Sequence, residues 1–214
     1  MIKKLIIAPH VDDEVLGCGG IIDRDTLVLH CGLADIQNHG KNLFSKTERL
    51  REFEEVKRET GCTSILLENT VNRYYAPDLI SQIEEVINDF SPDIAFIPTP
   101  SYNQDHQEVY KASIIALRPH DLNYFVPRVA MYEQPQDLWC GNNEQFNPNF
   151  FVKINIQKKI MLYSLLKSQI RGHRGIDLIE RISEIRGSQS NCSNAEAFKI
   201  IRWVSDSVDI YREV

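Results

Sequence analysis

Short apolar runs recur along this chain, and helical stretches separate them. The runs are Lys4–Pro9, Thr26–Leu33, Thr63–Asn69, Pro92–Pro100 and Arg128–Gln134. Phe44–Thr60 is helical in charge pattern and stops at Gly61, and Asp105–Leu117 is helical and stops near Pro119. Between them, Ala76–Phe90 carries Ile80, Ile83, Val86, Ile87 and Phe90 at helical spacing, with Pro77 in its first turn. Runs this short and this apolar suit strands buried on both faces. The alternation predicts an α/β fold, a mostly parallel, Rossmann-like sheet with helices on both faces.

The pattern breaks after Gln134. Residues Pro135–Pro148 read as loop, and "FFVKINI" from Phe150 reads as an antiparallel or edge strand. From Gln157 onward the composition predicts a mainly helical C-terminal segment. No repeat, low-complexity tract or flexible linker divides the chain. Its 214 residues therefore read as one domain, 1–214.

Bulk charge and cysteine usage narrow the function. The formal net charge is -6 with both signs interspersed, so no clustered basic footprint for nucleic acid is present. The five cysteines (Cys18, Cys31, Cys62, Cys140, Cys192) are odd in number and form no CxxC pair. That pattern disfavours a disulfide framework or a cysteine zinc site and suits a reducing compartment. "MIKKLIIAPH" is basic and then apolar, but its apolar stretch is too short for a signal peptide. No window approaches the ~20 apolar residues of a membrane span. The expectation is a cytoplasmic protein without stable membrane insertion.

Chemistry concentrates at two strand ends. The first is "IIAPHVDDEVLGCGGII", where His10, Asp12, Asp13 and Glu14 follow an apolar run and glycines follow them. Ligands of open parallel sheets bind outside the carboxyl ends of strands. A phosphate cradle would put glycines directly after the strand, whereas carboxylates there repel phosphate. A solvated acidic turn is the plain structural alternative. A metal site uses the residues better: His10 and Asp13 are spaced so that a turn brings both to one ion. Asp12 would then be free to take a proton from an attacking water. The second strand end, "PTPSYNQDHQEVY", offers His106 as a third ligand and Asp105 as an orienting carboxylate. His30 lies inside a strand and reads as core; His39, His120 and His173 lie in loops.

Together the two motifs resemble the PIG-L/LmbE family of zinc-dependent N-acetyl-sugar deacetylases. The family's Ala-His-Pro-Asp-Asp-Glu appears here as Pro9-His10-Val11-Asp12-Asp13-Glu14. Its His-x-Asp-His appears as Asn103-Gln104-Asp105-His106. "RLREFEEVKRETG", with Arg49 and Glu52, and "RGSQSNCSNAEAFKIIR" extend the likeness over most of the chain. The resemblance implies one Zn2+ on His10, Asp13 and His106, with Asp12 as general base and Glu14 bracing the loop. It implies Arg49 as a substrate contact. Asn103 replaces a histidine: it can donate a hydrogen bond to an oxyanion but cannot deliver a proton. Asp12 would then serve as base and, once protonated, as acid, unless Tyr102 or another residue supplies the proton. The implied substrate is a small-molecule amino-sugar conjugate. A carbohydrate-binding protein that keeps the fold without catalysis is the alternative. Gln37–Phe44, Tyr74–Ala76 and Pro135–Asn149 are the segments expected to face substrate.

Overall fold

A computed structural model of the chain describes residues 2–39, 41–139, 146–172 and 174–204. Nine strands alternate with six α-helices among them. In chain order they are β1 (Lys4–Ala8), α1 (Asp13–Cys18), β2 (Thr26–Gly32), β3 (Ile36–Asn38), β4 (Lys41–Phe44), α2 (Lys46–Thr60), β5 (Thr63–Asn69), α3 (Ala76–Phe90), β6 (Ile94–Pro98), α4 (Gln104–Ala116), β7 (Arg128–Tyr132), β8 (Phe150–Lys153), α5 (Ile156–Leu165), α6 (Ile176–Gln189) and β9 (Ala195–Trp203). Seven strands form one sheet in the order β5-β2-β1-β6-β7-β9-β8. β5, β2, β1, β6 and β7 pair in parallel, and β9 runs antiparallel to both β7 and β8. The α/β architecture expected from the alternation is present.

Strand periodicity splits the core in two. Ile6 and Ala8 of β1 pack on one face with Val28, Phe53, Val56, Leu162, Tyr163 and Ile179, under α2, α5 and α6. Leu5 and Ile7 pack on the other with Leu79, Ile83, Ile87, Val109 and Ala112, under α3 and α4. Successive residues of a strand point to opposite faces, so a strand covered on both must be apolar throughout. α2 starts at a capping box, with the Ser45 hydroxyl accepting from Glu48 N–H and the Glu48 carboxylate accepting from Ser45 N–H. It stops where Gly61 adopts a φ of 74° and returns its N–H to Lys57.

Three local features add detail. The mainly helical C-terminal segment also holds a strand: Ala195–Trp203 is nine residues long and inserted between β7 and β8. Its Ala-Glu-Ala-Phe-Lys opening has helix-forming composition, but pairing on both sides overrides propensity. Part of Gln37–Phe44 lies in the separate antiparallel pair β3–β4. The first helix starts at Asp13, directly after the turn. Gly17 therefore lies inside α1, where a Cβ would fall 2.8 Å from Cγ of the Tyr132 ring.

Strand order reverses at β1, with β2 on one side and β6 on the other. The crevice at such a switch point is where open α/β sheets place their ligands.

Candidate metal centre and its cavity

The loop after β1 makes an unusual turn. Asp12 caps α1 with a φ of 144°, a region that side chains disfavour. Its N–H donates to Glu14 Oε2 at 3.0 Å, and His30 Nε2 lies 3.0 Å from the same oxygen. Glu14 is fully buried, so it braces the turn from below rather than facing a ligand. His30 is a buried core histidine, as expected, and its visible task is to hold Glu14.

The turn sets His10 and Asp13 against His106, which α4 delivers in its first turn beyond β6. One donor atom from each of the three lies within 4.8 Å of the others. Asp13 Oδ2 stands 3.4 Å from His10 Nδ1 and 3.3 Å from His106 Nε2. Donors bound about 2.1 Å from a tetrahedral zinc ion stand about 3.4 Å apart. The spacing and the two-imidazole, one-carboxylate donor set both fit such an ion.

Protonation supports the same reading. His10 Nε2 lies 2.9 Å from Asp105 Oδ2, so it must carry the hydrogen. In a neutral ring, Nδ1 then presents a lone pair to Asp13 Oδ2, and two acceptors face each other. Positive charge between them would relieve that contact. Burial alone would lower the His10 pKa; Asp105 and Asp13 outweigh it and raise the value to about 9. Burial would likewise raise the Asp13 carboxyl, but His106 and His10 hold it well below the usual carboxylate range. A divalent ion held there would supply the charge that a proton on His10 otherwise provides. Asp105 is itself fixed, accepting from Asn72 N–H at 2.7 Å and Tyr74 N–H at 3.4 Å. His106 Nδ1 is buried with no hydrogen-bond partner among the described residues.

Asp12 is 4% exposed and points to a different neighbour. Arg174 Nη1 lies 2.9 Å from Asp12 Oδ2, while Arg174 Nη2 donates to Gln169 Oε1 at 2.7 Å. Burial raises the Asp12 pKa, and the Arg174 cation opposes that rise. Sequence reasoning missed Arg174. Its signal was an arginine in the turn "RGHRG", which looks like any solvated basic turn.

Arg49 is 6% exposed. Its Nη1 donates to Ala34 O at 2.6 Å and its Nη2 to Val11 O at 3.1 Å, so it ties the loops after β1 and β2 together. Arg49 Nε has no partner among the described residues, and the side chain lines the cavity. Asn103 caps α4: its Oδ1 accepts from Asp105 N–H at 2.9 Å. That bond fixes the amide orientation and leaves the NH2 as the donor Asn103 offers to the cavity it lines.

The cavity holds about 810 Å3 and contains His10, Asp12, Asp13 and His106 in its wall. That volume suits a small molecule. The cavity wall draws partly on the neighbours of the segments expected to face substrate. Ala34, Asp35 and Ile36 line the wall rather than Gln37–Phe44, and Val71 and Asn72 rather than Tyr74–Ala76. Tyr74 instead stacks on His10 and donates its hydroxyl to Pro9 O at 2.9 Å. Pro135, Gln136 and Leu138 do line it; residues 140–145, with Cys140, and His173 lie outside the described residues. Cys18, Cys31, Cys62 and Cys192 are free thiols. Among the described residues no helix is long and apolar enough to cross a membrane.

Comparisons with known proteins add a family. A family model described as PIG-L, GlcNAc-PI de-N-acetylase, matches residues 5–117, just over half of the chain. No curated protein matches by sequence. Among solved structures, a conserved protein of Thermus thermophilus superposes with a TM-score of 0.76 at 23% identity, covering 97% of this chain and 98% of that one. N,N'-diacetylchitobiose deacetylase from Pyrococcus horikoshii gives 0.75 at 19%, covering 98% and 89%. The 4-carboxy-2-hydroxymuconate hydratase of Pseudomonas putida gives 0.76 at 18%, covering 97% and 99%. At such identities these show the fold, and a hydratase shares it with a deacetylase.

Proposed function

Since the chain belongs to the PIG-L family, we propose that it is a metal-dependent N-deacetylase that removes the acetyl group from an N-acetylglucosamine-like conjugate. The observation that carries this reading is the triangle of His10, Asp13 and His106 with the Asp12 carboxylate beside it, all opening into one cavity. In this reading residues 1–214 act as a single cytoplasmic domain.

His10, Asp13 and His106 would hold the ion, with zinc the best match to their donors. When bound, such an ion acidifies water and polarises an acyl oxygen. The chain's own residues do the rest. Asp105 keeps His10 in the tautomer that aims Nδ1 at the site. Asp12 accepts a proton from the water that attacks the acetyl carbon. The Asn103 NH2 donates to the oxygen on which negative charge develops. Asp12 then returns its proton to the sugar nitrogen as the carbon–nitrogen bond breaks, giving acetate and a free amine. Arg49 holds the loops that carry these groups and, lining the cavity, is the candidate substrate contact.

The test is acetate release from a panel of N-acetylated sugar conjugates, with metal content measured on the same sample. Chelation should abolish release and zinc should restore it. A metal-free protein that binds amino sugars and frees no acetate would make it a carbohydrate-binding member of the family instead.

A further inference from the structure

Arg49 and Glu52 stand three residues apart on α2, a spacing that puts both side chains on one helix face. Arg49 binds Val11 O, the carbonyl next to Asp12. Glu52 turns to a different segment. Its Oε1 accepts from Ser168 N–H at 2.9 Å and its Oε2 from the Ser168 hydroxyl at 2.5 Å. α2 is a firm base for both, since Phe53 and Val56 bury it in the core and a capping box fixes its start.

From Glu52 a run of bonds reaches the Asp12 carboxylate, and its polarity is set at the Glu52 end. An ionised carboxylate only accepts, so the Ser168 hydroxyl gives its hydrogen to Glu52. The hydroxyl oxygen is then left to accept from Gln169, whose Nε2 lies 3.0 Å away. With its NH2 turned to Ser168, the Gln169 amide aims Oε1 at Arg174 Nη2, 2.7 Å distant. Arg174 Nη1 in turn lies 2.9 Å from Asp12 Oδ2. The opposite amide flip would set NH2 against a guanidinium, donor against donor. Ser168 and Gln169 are 4% and 3% exposed, so water does not readily replace these partners. The Tyr163 hydroxyl holds the same turn, 3.0 Å from Gln169 O and 2.9 Å from Arg174 O.

We propose that Glu52 is a positioning residue for proton transfer: through Ser168 and Gln169 it orients Arg174 on the Asp12 carboxylate, a role that rests on the deacetylase reading of the same cavity. With Arg49 on the neighbouring carbonyl, α2 then sets Asp12 from two sides.

Two variants test it. Glu52→Gln keeps the shape and reverses the polarity; Ser168→Ala keeps the N–H bond to Glu52 and removes the hydroxyl between Glu52 and Gln169. Acetate release from the methyl glycoside of N-acetylglucosamine gives kcat and KM, and metal analysis gives zinc content. NMR of protein carrying nitrogen-labelled arginine reads the Arg174 guanidinium, assigned by its loss in Arg174→Lys. Each variant should lower kcat by about tenfold, with KM and zinc content within about twofold of wild type. The loss should vanish where Arg174 is already alanine, because residues acting through one partner are not additive. A guanidinium held at both Nη atoms rotates slowly and gives separate Nη signals, which should merge in both variants. Losses that stay additive with Arg174→Ala, or Arg174 signals alike in wild type and both variants, overturn the proposal while leaving deacetylation standing. A wild type that frees no acetate, with Arg174 signals that still merge in the variants, keeps the positioning network and removes the deacetylase reading.

Discussion

Arg174 Nη1 lies 2.9 Å from Asp12 Oδ2, and this ion pair joins the turn before α6 to the turn after β1 across 162 residues of sequence. The buried Asp12 carboxylate makes no capping bond within its own turn, so that turn does not fix where it points. Arg174 does so. Arg174→Ala should lower kcat on the order of 10- to 100-fold, the scale of a small misplacement of a reacting group. Metal content should stay at the wild-type level, and Arg174→Lys should recover part of the rate. Equal kcat in wild type and Arg174→Ala would remove Arg174 from any positioning role.

Asp12→Ala separates metal holding from proton transfer. His10, Asp13 and His106 remain, so zinc should still bind stoichiometrically. Turnover should fall by roughly 10²- to 10⁴-fold, the usual contribution of a general base. Metal analysis beside an acetate assay reads both. A variant with near-wild-type activity would mean that another group takes the proton.

Asp105→Ala asks what the buried carboxylate behind His10 contributes. It fixes the tautomer and ring orientation of a candidate ligand without reaching the ion's position itself. Loss of such a partner weakens metal binding by about 10- to 100-fold. A competition titration against a chromophoric chelator measures this directly. Unchanged affinity would show that His10 is held by packing against Tyr74 instead.

Both candidate metal motifs were legible because each lies where an apolar run meets polar residues, and parallel sheets put such junctions on one edge. The pairing of β1 with β6 then brings His10 and His106 together. Arg174 was illegible for the opposite reason: a turn arginine carries no periodicity, and its partner lies in a distant segment. β9 was hidden because local composition favours helix while pairing with β7 and β8 decides the outcome. Arg49 was legible as a residue of interest, but its bonds to Ala34 and Val11 depend on two loops whose paths no spacing rule predicts.

Gly17→Ala tests the close approach beneath the candidate metal turn. An added methyl would press on the Tyr132 ring, whose hydroxyl donates to Ile7 O at 2.9 Å and which has no room to withdraw. Overpacking of this kind costs about 1–3 kcal/mol. Because α1 carries Asp13, metal affinity should fall together with the denaturation midpoint. A Gly17→Ala protein as stable as wild type would show that α1 can lift away from β7 without cost.

Asp137 should make stability depend on pH in an identifiable window. Burial pushes its carboxyl up to about 6, only partly offset by donation from Gln134 N–H and the Thr99 hydroxyl. The folded protein therefore holds this proton more tightly than the unfolded chain, whose carboxyl has a pKa near 3.9. That contribution is complete below about pH 4 and is lost as pH rises through about 6. The full difference is on the order of 3 kcal/mol, at about 1.4 kcal/mol per pKa unit. Other carboxylates titrate nearby, so the informative quantity is the difference between wild type and Asp137→Asn at each pH. Urea unfolding from pH 4 to pH 7 should show the variant gaining on the wild type by roughly 1–3 kcal/mol across that range. Parallel pH profiles for the two proteins would mean that the Asp137 carboxyl ionises in the folded state as easily as in the unfolded one.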